Sequence, residues 1–155
     1  MKPIEISTHI VGQHPTVVAE ALLAPENAAK WQSNLERCEV VAGSPGTVGT
    51  KTHLHFAPKG RRYVMEEVLE FAEPGHRYVS QITGDGMVVQ VETTLESTPH
   101  GTQLKIRWSG SSPSLWVRLL LRIVRSAIAE RAEIDMQAFK RLVESQRSIF
   151  PSHNM

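Results

Sequence analysis

The strongest constraint on this chain lies between Leu35 and Ser109, where runs of β character are separated by short, turn-rich connections. The runs fall near 35–43, 48–57, 61–73, 76–84, 86–97 and 102–109. Between them stand Gly43-Ser44-Pro45-Gly46, Pro58-Lys59-Gly60, Glu73-Pro74-Gly75, Gly84-Asp85-Gly86 and Pro99-His100-Gly101. Glycine and proline in such clusters set turn geometry. Connections this short join antiparallel neighbours, because a parallel pair needs a crossover of a dozen or more residues. The central part of the chain therefore reads as an antiparallel meander.

The flanks decide how that sheet is covered. Pro3 to Gly12 alternates, with Ile4, Ile6 and Ile10 on one side and Glu5, Ser7 and His9 on the other, the pattern of a half-buried strand. Pro15 suits the first turn of a helix, where its missing N–H costs nothing, and Val17, Val18, Ala21 and Leu22 follow at helical spacing. Pro25 ends that helix and opens another towards Trp31, with Glu26 near its positive end. After the sheet, Ser112-Pro113 offers a helix start, and Ser114 to Gln146 contains neither glycine nor proline. A continuous helix there would extend about 50 Å at 1.5 Å per residue. That exceeds a compact domain, so either one end projects or the helix is irregular, with the irregularity expected around Arg125–Ile128. The order is β-α-α-β-β-β-β-β-β-α, with helices segregated from one antiparallel sheet, which is α+β.

With 155 residues, a single domain is expected, its core at about 4–146 and a C-terminal tail at 147–155. The formal net charge of +1 gives no electrostatic reason to bind nucleic acid. Cys38 is the one cysteine, which excludes an internal disulfide and any zinc site built from paired cysteines. The opening residues carry no apolar signal-peptide core and no stretch approaches a membrane span, so a cytoplasmic location is expected. No P-loop, nucleophile elbow or dinucleotide fingerprint occurs, and no cofactor is expected.

This order resembles the START-like, or helix-grip, superfamily and within it the polyketide cyclase/dehydrase and lipid-transport group. The residues that carry the resemblance are Pro25-Glu26-Asn27 with Trp31, then Val48-Gly49-Thr50. Glu66-Glu67-Val68-Leu69-Glu70-Phe71 follows, leading to Glu73-Pro74-Gly75-His76-Arg77, and then Gly101-Thr102-Gln103-Leu104. Ala24 departs from the polar cap common in the group before that proline. The resemblance spans roughly residues 4–146. It implies a curved seven-stranded antiparallel sheet wrapped around a long C-terminal helix, with a cavity between them. It does not imply one chemistry, since members include cyclases, lipid carriers, hormone receptors and co-chaperones.

Strand parity proposes the cavity wall, because alternate residues face opposite sides. Tyr63, Met65, Glu67, Leu69 and Phe71 form the more apolar row of their strand. Met87, Val89, Val91 and Leu95 form another, as do Leu104, Ile106 and Trp108, and Leu54 and Phe56. The expected ligand-binding set is Trp31, Leu54, Phe56, Tyr63, Met65, Glu67, Met87, Val89, Trp108, Trp116 and Leu120. Core packing is the simpler explanation of any one tryptophan, and a place at the cavity wall or mouth is the functional reading of one or two of them. Glu67 would be a carboxylate among apolar neighbours, where burial raises its pKa and a nearby arginine lowers it. It is the candidate acid or base, with Tyr63 and Tyr78 as further candidates, unless it is a rim residue paired with Arg77. His53 and His55 share the outer face, where two imidazoles without a third ligand read as solvated. Cys38 has no base beside it in sequence and reads as an inert small hydrophobe.

Arg118, Arg122 and Arg125 recur at i, i+4 and i+7 as a basic stripe opposite Trp116, Leu120, Ile123 and Ala127. The stripe reads as a solvated face, as peripheral contact with an anionic membrane, or, with Leu115, Leu119 and Leu121, as a homodimer contact. Three functions follow. The first is binding or transport of a hydrophobic or amphipathic small molecule. The second is a cyclase/aromatase-type enzyme using Glu67, Tyr63 or Tyr78 on a polyketide-like substrate. The third is a protein-interaction module, with a small cavity and an exposed apolar patch over 115–124.

Overall fold

The computed structural model describes residues 2–112 and 114–146. The expected tail at 147–155, and Pro113 of the expected helix start, lie outside them.

Seven strands form one antiparallel sheet: β1 (Ile4–Val11), β2 (Leu35–Ala42), β3 (Lys51–Phe56), β4 (Tyr63–Glu73), β5 (Arg77–Gly84), β6 (Met87–Thr98) and β7 (Gly101–Ser111). Their spatial order is β1-β7-β6-β5-β4-β3-β2, a meander whose ends are joined by the first connection. That connection holds helices α1 (Pro15–Leu23) and α2 (Pro25–Trp31), each begun by its proline. Helix α3 (Leu115–Glu144) closes the fold, so the architecture is the helix-grip α+β arrangement expected. Strand β3 starts at Lys51, later than the run beginning at 48. Thr50 ends the preceding loop instead, its hydroxyl donating to the carbonyls of Ser44 and Thr47 at 2.6 Å each.

Helix α3 runs unbroken for 30 residues, about 45 Å. The irregularity expected around Arg125–Ile128 is absent. No glycine or proline interrupts the backbone ladder, and the length is accommodated by projection: Leu115, Trp116, Leu119, Leu120 and Ile123 are exposed. The Ser114 hydroxyl caps its start by accepting from Val117 N. The C-terminal half supplies the core, where Met136, Phe139 and Val143 meet Ile10, Val18, Leu69, Tyr78, Leu95, Leu104 and Ile106.

The same helix covers the outer edge of β1 with polar side chains. Arg125 donates to the carbonyls of Pro3 (2.7 Å) and Lys2 (3.2 Å), and Lys140 donates to that of His9 (2.5 Å). Glu144 accepts from Val11 N at 2.8 Å and from Lys140 at 2.6 Å. Arg125 is thus an anchor and leaves the solvated stripe of Arg118 and Arg122. Strand β2 forms the other edge, interrupted by register shifts at Leu35/Arg37 and Val40/Ala42.

A shift between Leu69 and Phe71 in the β4–β5 ladder reverses the parity of β4 beyond Leu69. Phe71, expected to face inward, is exposed with the Arg77 guanidinium 4.8 Å from its ring centre. Ala72 packs against the core instead.

Candidate functional site

Between the concave sheet and the helices lies a cavity of about 650 Å³. The sheet contributes Cys38, Thr52, Leu54, Glu67, Leu69, Ser80, Ile82, Met87, Val89, Val91 and Trp108 to its wall. The helices contribute Leu22, Ala28, Trp31, Leu121, Ile128, Arg131 and Met136. Most of this surface is apolar, and ligand sites of a few hundred cubic ångströms with few polar groups are the common kind in proteins. The most exposed wall residues are Pro45, on the β2–β3 loop, and Ala127, Ile128 and Arg131 on α3.

Glu67 stands on the sheet wall, directly opposite Thr52 in the β3–β4 ladder. Burial raises its carboxyl above the usual carboxylate range, and a hydrogen bond with Ser80 draws it partly back. The Cys38 thiol also faces the cavity, and burial together with the nearby Glu67 carboxylate pushes it up to about 11. At neutral pH it therefore stays a thiol and is no nucleophile. Glu67, Ser80, Thr52 and Cys38 form one polar group of side chains on a largely apolar sheet wall. The pairing of Glu67 with Arg77 is not formed: Arg77 is held by Glu92 at 2.6 Å on β6.

Of the residues expected at the wall, Trp31, Leu54, Glu67, Met87, Val89 and Trp108 line the cavity. Trp31 also packs edge-on against Phe139, with ring centres 5.1 Å apart. Met65, Phe56 and Tyr63 share the inner face but lie beyond the hollow. Met65 is buried beside Gly84, while Phe56 and Tyr63 stack on each other at 5.3 Å. Trp116 and Leu120 lie on the outward face of α3, while Leu121 takes the inward face at the cavity wall.

The candidate proton-transfer set does not assemble around Glu67. Tyr78 lines the cavity, yet its hydroxyl accepts from Gly75 N at 2.8 Å in the β4–β5 turn. Tyr63 lies outside, its phenol raised by burial and by Asp85. His53 and His55 face outward and meet Glu66 and Glu39 at 3.3 Å each.

Sequence reading missed Ser80, Cys38, Arg131 and Asp135 as wall residues. The alternation Tyr78-Ser80-Ile82 carried a signal for Ser80, and Cys38-Val40 carried one for Cys38. Asp135 accepts from Ser33 N at 3.1 Å and from the Ser33 hydroxyl, tying α3 to the segment after α2.

Among the described residues, no helix is long and apolar enough to cross a membrane. No curated protein matches the sequence significantly. Solved structures that share the fold include protein CV1439 from Chromobacterium violaceum, at TM-score 0.71 and 19% identity over 93% of this chain and 99% of that one. Ara h 8.0201 is similar at TM-score 0.72 and 16% identity, covering 93% and 98%. DynU16, from the dynemicin biosynthetic locus, is similar at TM-score 0.68 and 18% identity, covering 93% of this chain and 48% of that one. At such identities these likenesses establish the fold alone. The family model described as polyketide cyclase/dehydrase and lipid transport matches residues 4–144, and with nearly the whole chain so covered, the protein belongs to that family.

Proposed function

We propose that this protein binds an amphipathic small molecule, with an apolar body and one polar group, in the cavity between sheet and α3. One observation carries the reading: a largely apolar hollow of about 650 Å³ whose sheet wall carries a buried carboxyl, Glu67, hydrogen-bonded to Ser80. Apolar walls favour a ligand by removing its surface from water, while the polar cluster selects its orientation. In its protonated form, which burial favours, Glu67 donates to a carbonyl or hydroxyl oxygen of the guest. The family's description supports the ligand class, since both polyketides and lipids are largely apolar.

Native mass spectrometry of the purified protein, followed by titration with a fluorescent long-chain alcohol, tests this. Retained or titratable ligand is expected. Glu67→Leu should weaken the alcohol about fivefold, one hydrogen bond's net worth of about 1 kcal/mol, while leaving an alkane guest unaffected. A protein that neither retains nor takes up any apolar guest ends the reading.

The raised Glu67 carboxyl beside Ser80 also favours a second reading, acid–base catalysis of aldol condensation or dehydration on a polyketone held in the same cavity. In that case Glu67→Gln abolishes product formation with substrate binding retained. An unchanged turnover rate would remove it.

A further inference from the structure

We infer that the projecting N-terminal half of α3 docks the protein on an anionic lipid surface. The docking needs only the outer face of the helix and goes beyond the cavity reading. Leu115, Trp116, Leu119, Leu120 and Ile123 are 72%, 81%, 48%, 57% and 69% exposed. At about 100° per residue these five and Ala127 fall within one arc of about 140°, with Arg118 and Arg122 along its flank. Leu121 points the other way, into the cavity wall, and Arg125 is tied to the carbonyls of Lys2 and Pro3. The turn is thus held to the body of the protein while its apolar arc faces out.

Charge decides the occupant. No aspartate or glutamate occurs between Glu96 and Glu130, whereas Lys105, Arg107, Arg118, Arg122 and Arg125 do. A symmetric contact between two copies centred on Leu119 would bring like-charged arginines together with no carboxylate in that stretch to offset them. A surface of lipid phosphates pairs with guanidinium groups, and an amphipathic indole settles at the boundary between headgroups and acyl chains. Ala127 belongs both to the outward arc and to the cavity wall, so docking sets an opening of the cavity beside the lipid.

Co-sedimentation of the full chain with vesicles tests the inference, using phosphatidylcholine alone against phosphatidylcholine mixed with phosphatidylglycerol. Binding to the mixed vesicles is expected, with a blue shift of tryptophan fluorescence that Trp116→Ser removes. Replacing both Arg118 and Arg122 by Gln should weaken it roughly 25-fold, at about fivefold per basic residue near an anionic surface. Leu119→Ser with Leu120→Ser should abolish it, and circular dichroism checks that each variant stays folded. Absence of binding, equal binding to both vesicles, or a solution dimer that the double serine variant dissolves would overturn the inference. Uptake of a fluorescent long-chain alcohol without vesicles reads the cavity separately, so failure of docking and failure of the ligand reading are distinguishable.

Discussion

Glu67 couples this protein to pH through a single carboxyl. Its pKa is raised on folding because burial disfavours the charged form. The folded state therefore holds the proton more tightly than the unfolded one. The stability linked to Glu67 is complete below the unfolded carboxylate pKa, and it is lost as pH rises through the folded value. Glu67→Gln cannot ionise and escapes this loss. The expected outcome is a melting temperature for the Gln variant that gains on the native protein as pH climbs from the carboxylate range to neutrality, read by thermal denaturation at several pH values. A constant difference across pH would show that the side chain is better solvated than its setting implies. Alternation alone placed Glu67 on the inner face; its Ser80 partner lies on the next strand, and register between strands is set by turns and bulges that residue type does not reveal.

Whole elements were legible wherever local chemistry dictated them. The two prolines opened both short helices at the expected positions, and the glycine-rich turns separated strands that pair as neighbours. What stayed hidden depended on contacts distant in sequence. One extra residue near Glu70 turned Phe71 outward, and the same apolar pattern in α3 served two surroundings, a core at Met136, Phe139 and Val143 and solvent at Leu115, Trp116, Leu119, Leu120 and Ile123. The turn between β6 and β7 shows how tight such packing is. A Cβ added to Gly101 would lie 1.9 Å from the carbonyl oxygen of Ile10, whose strand passes alongside. Gly101→Ala must push β1 from β7, so a loss of about 3 kcal/mol or more is expected, among the larger effects a single substitution has. Chemical denaturation would show it as a lowered midpoint with little change in slope.

For the molecule as a whole, guest binding and stability are linked, because a ligand held only by the folded state stabilises it by mass action. At one hundred times its dissociation constant a guest adds about 2.7 kcal/mol, equivalent to about 5–10 °C for a domain of this size. Thermal scans with the long-chain alcohol should rise by that amount in the native protein, and a shift of zero would contradict internal binding. The wall drew on every layer of the fold, which is why parity found several of its strand residues but could not find Arg131 or Asp135 on α3. The cover that Arg125, Lys140 and Glu144 give β1 has a consequence for assembly. A strand arriving from another molecule would find the hydrogen-bonding groups at both ends of that border already engaged. Lateral growth is thereby steered to the opposite border, where two register breaks in β2 spoil the straight ladder that an incoming strand requires.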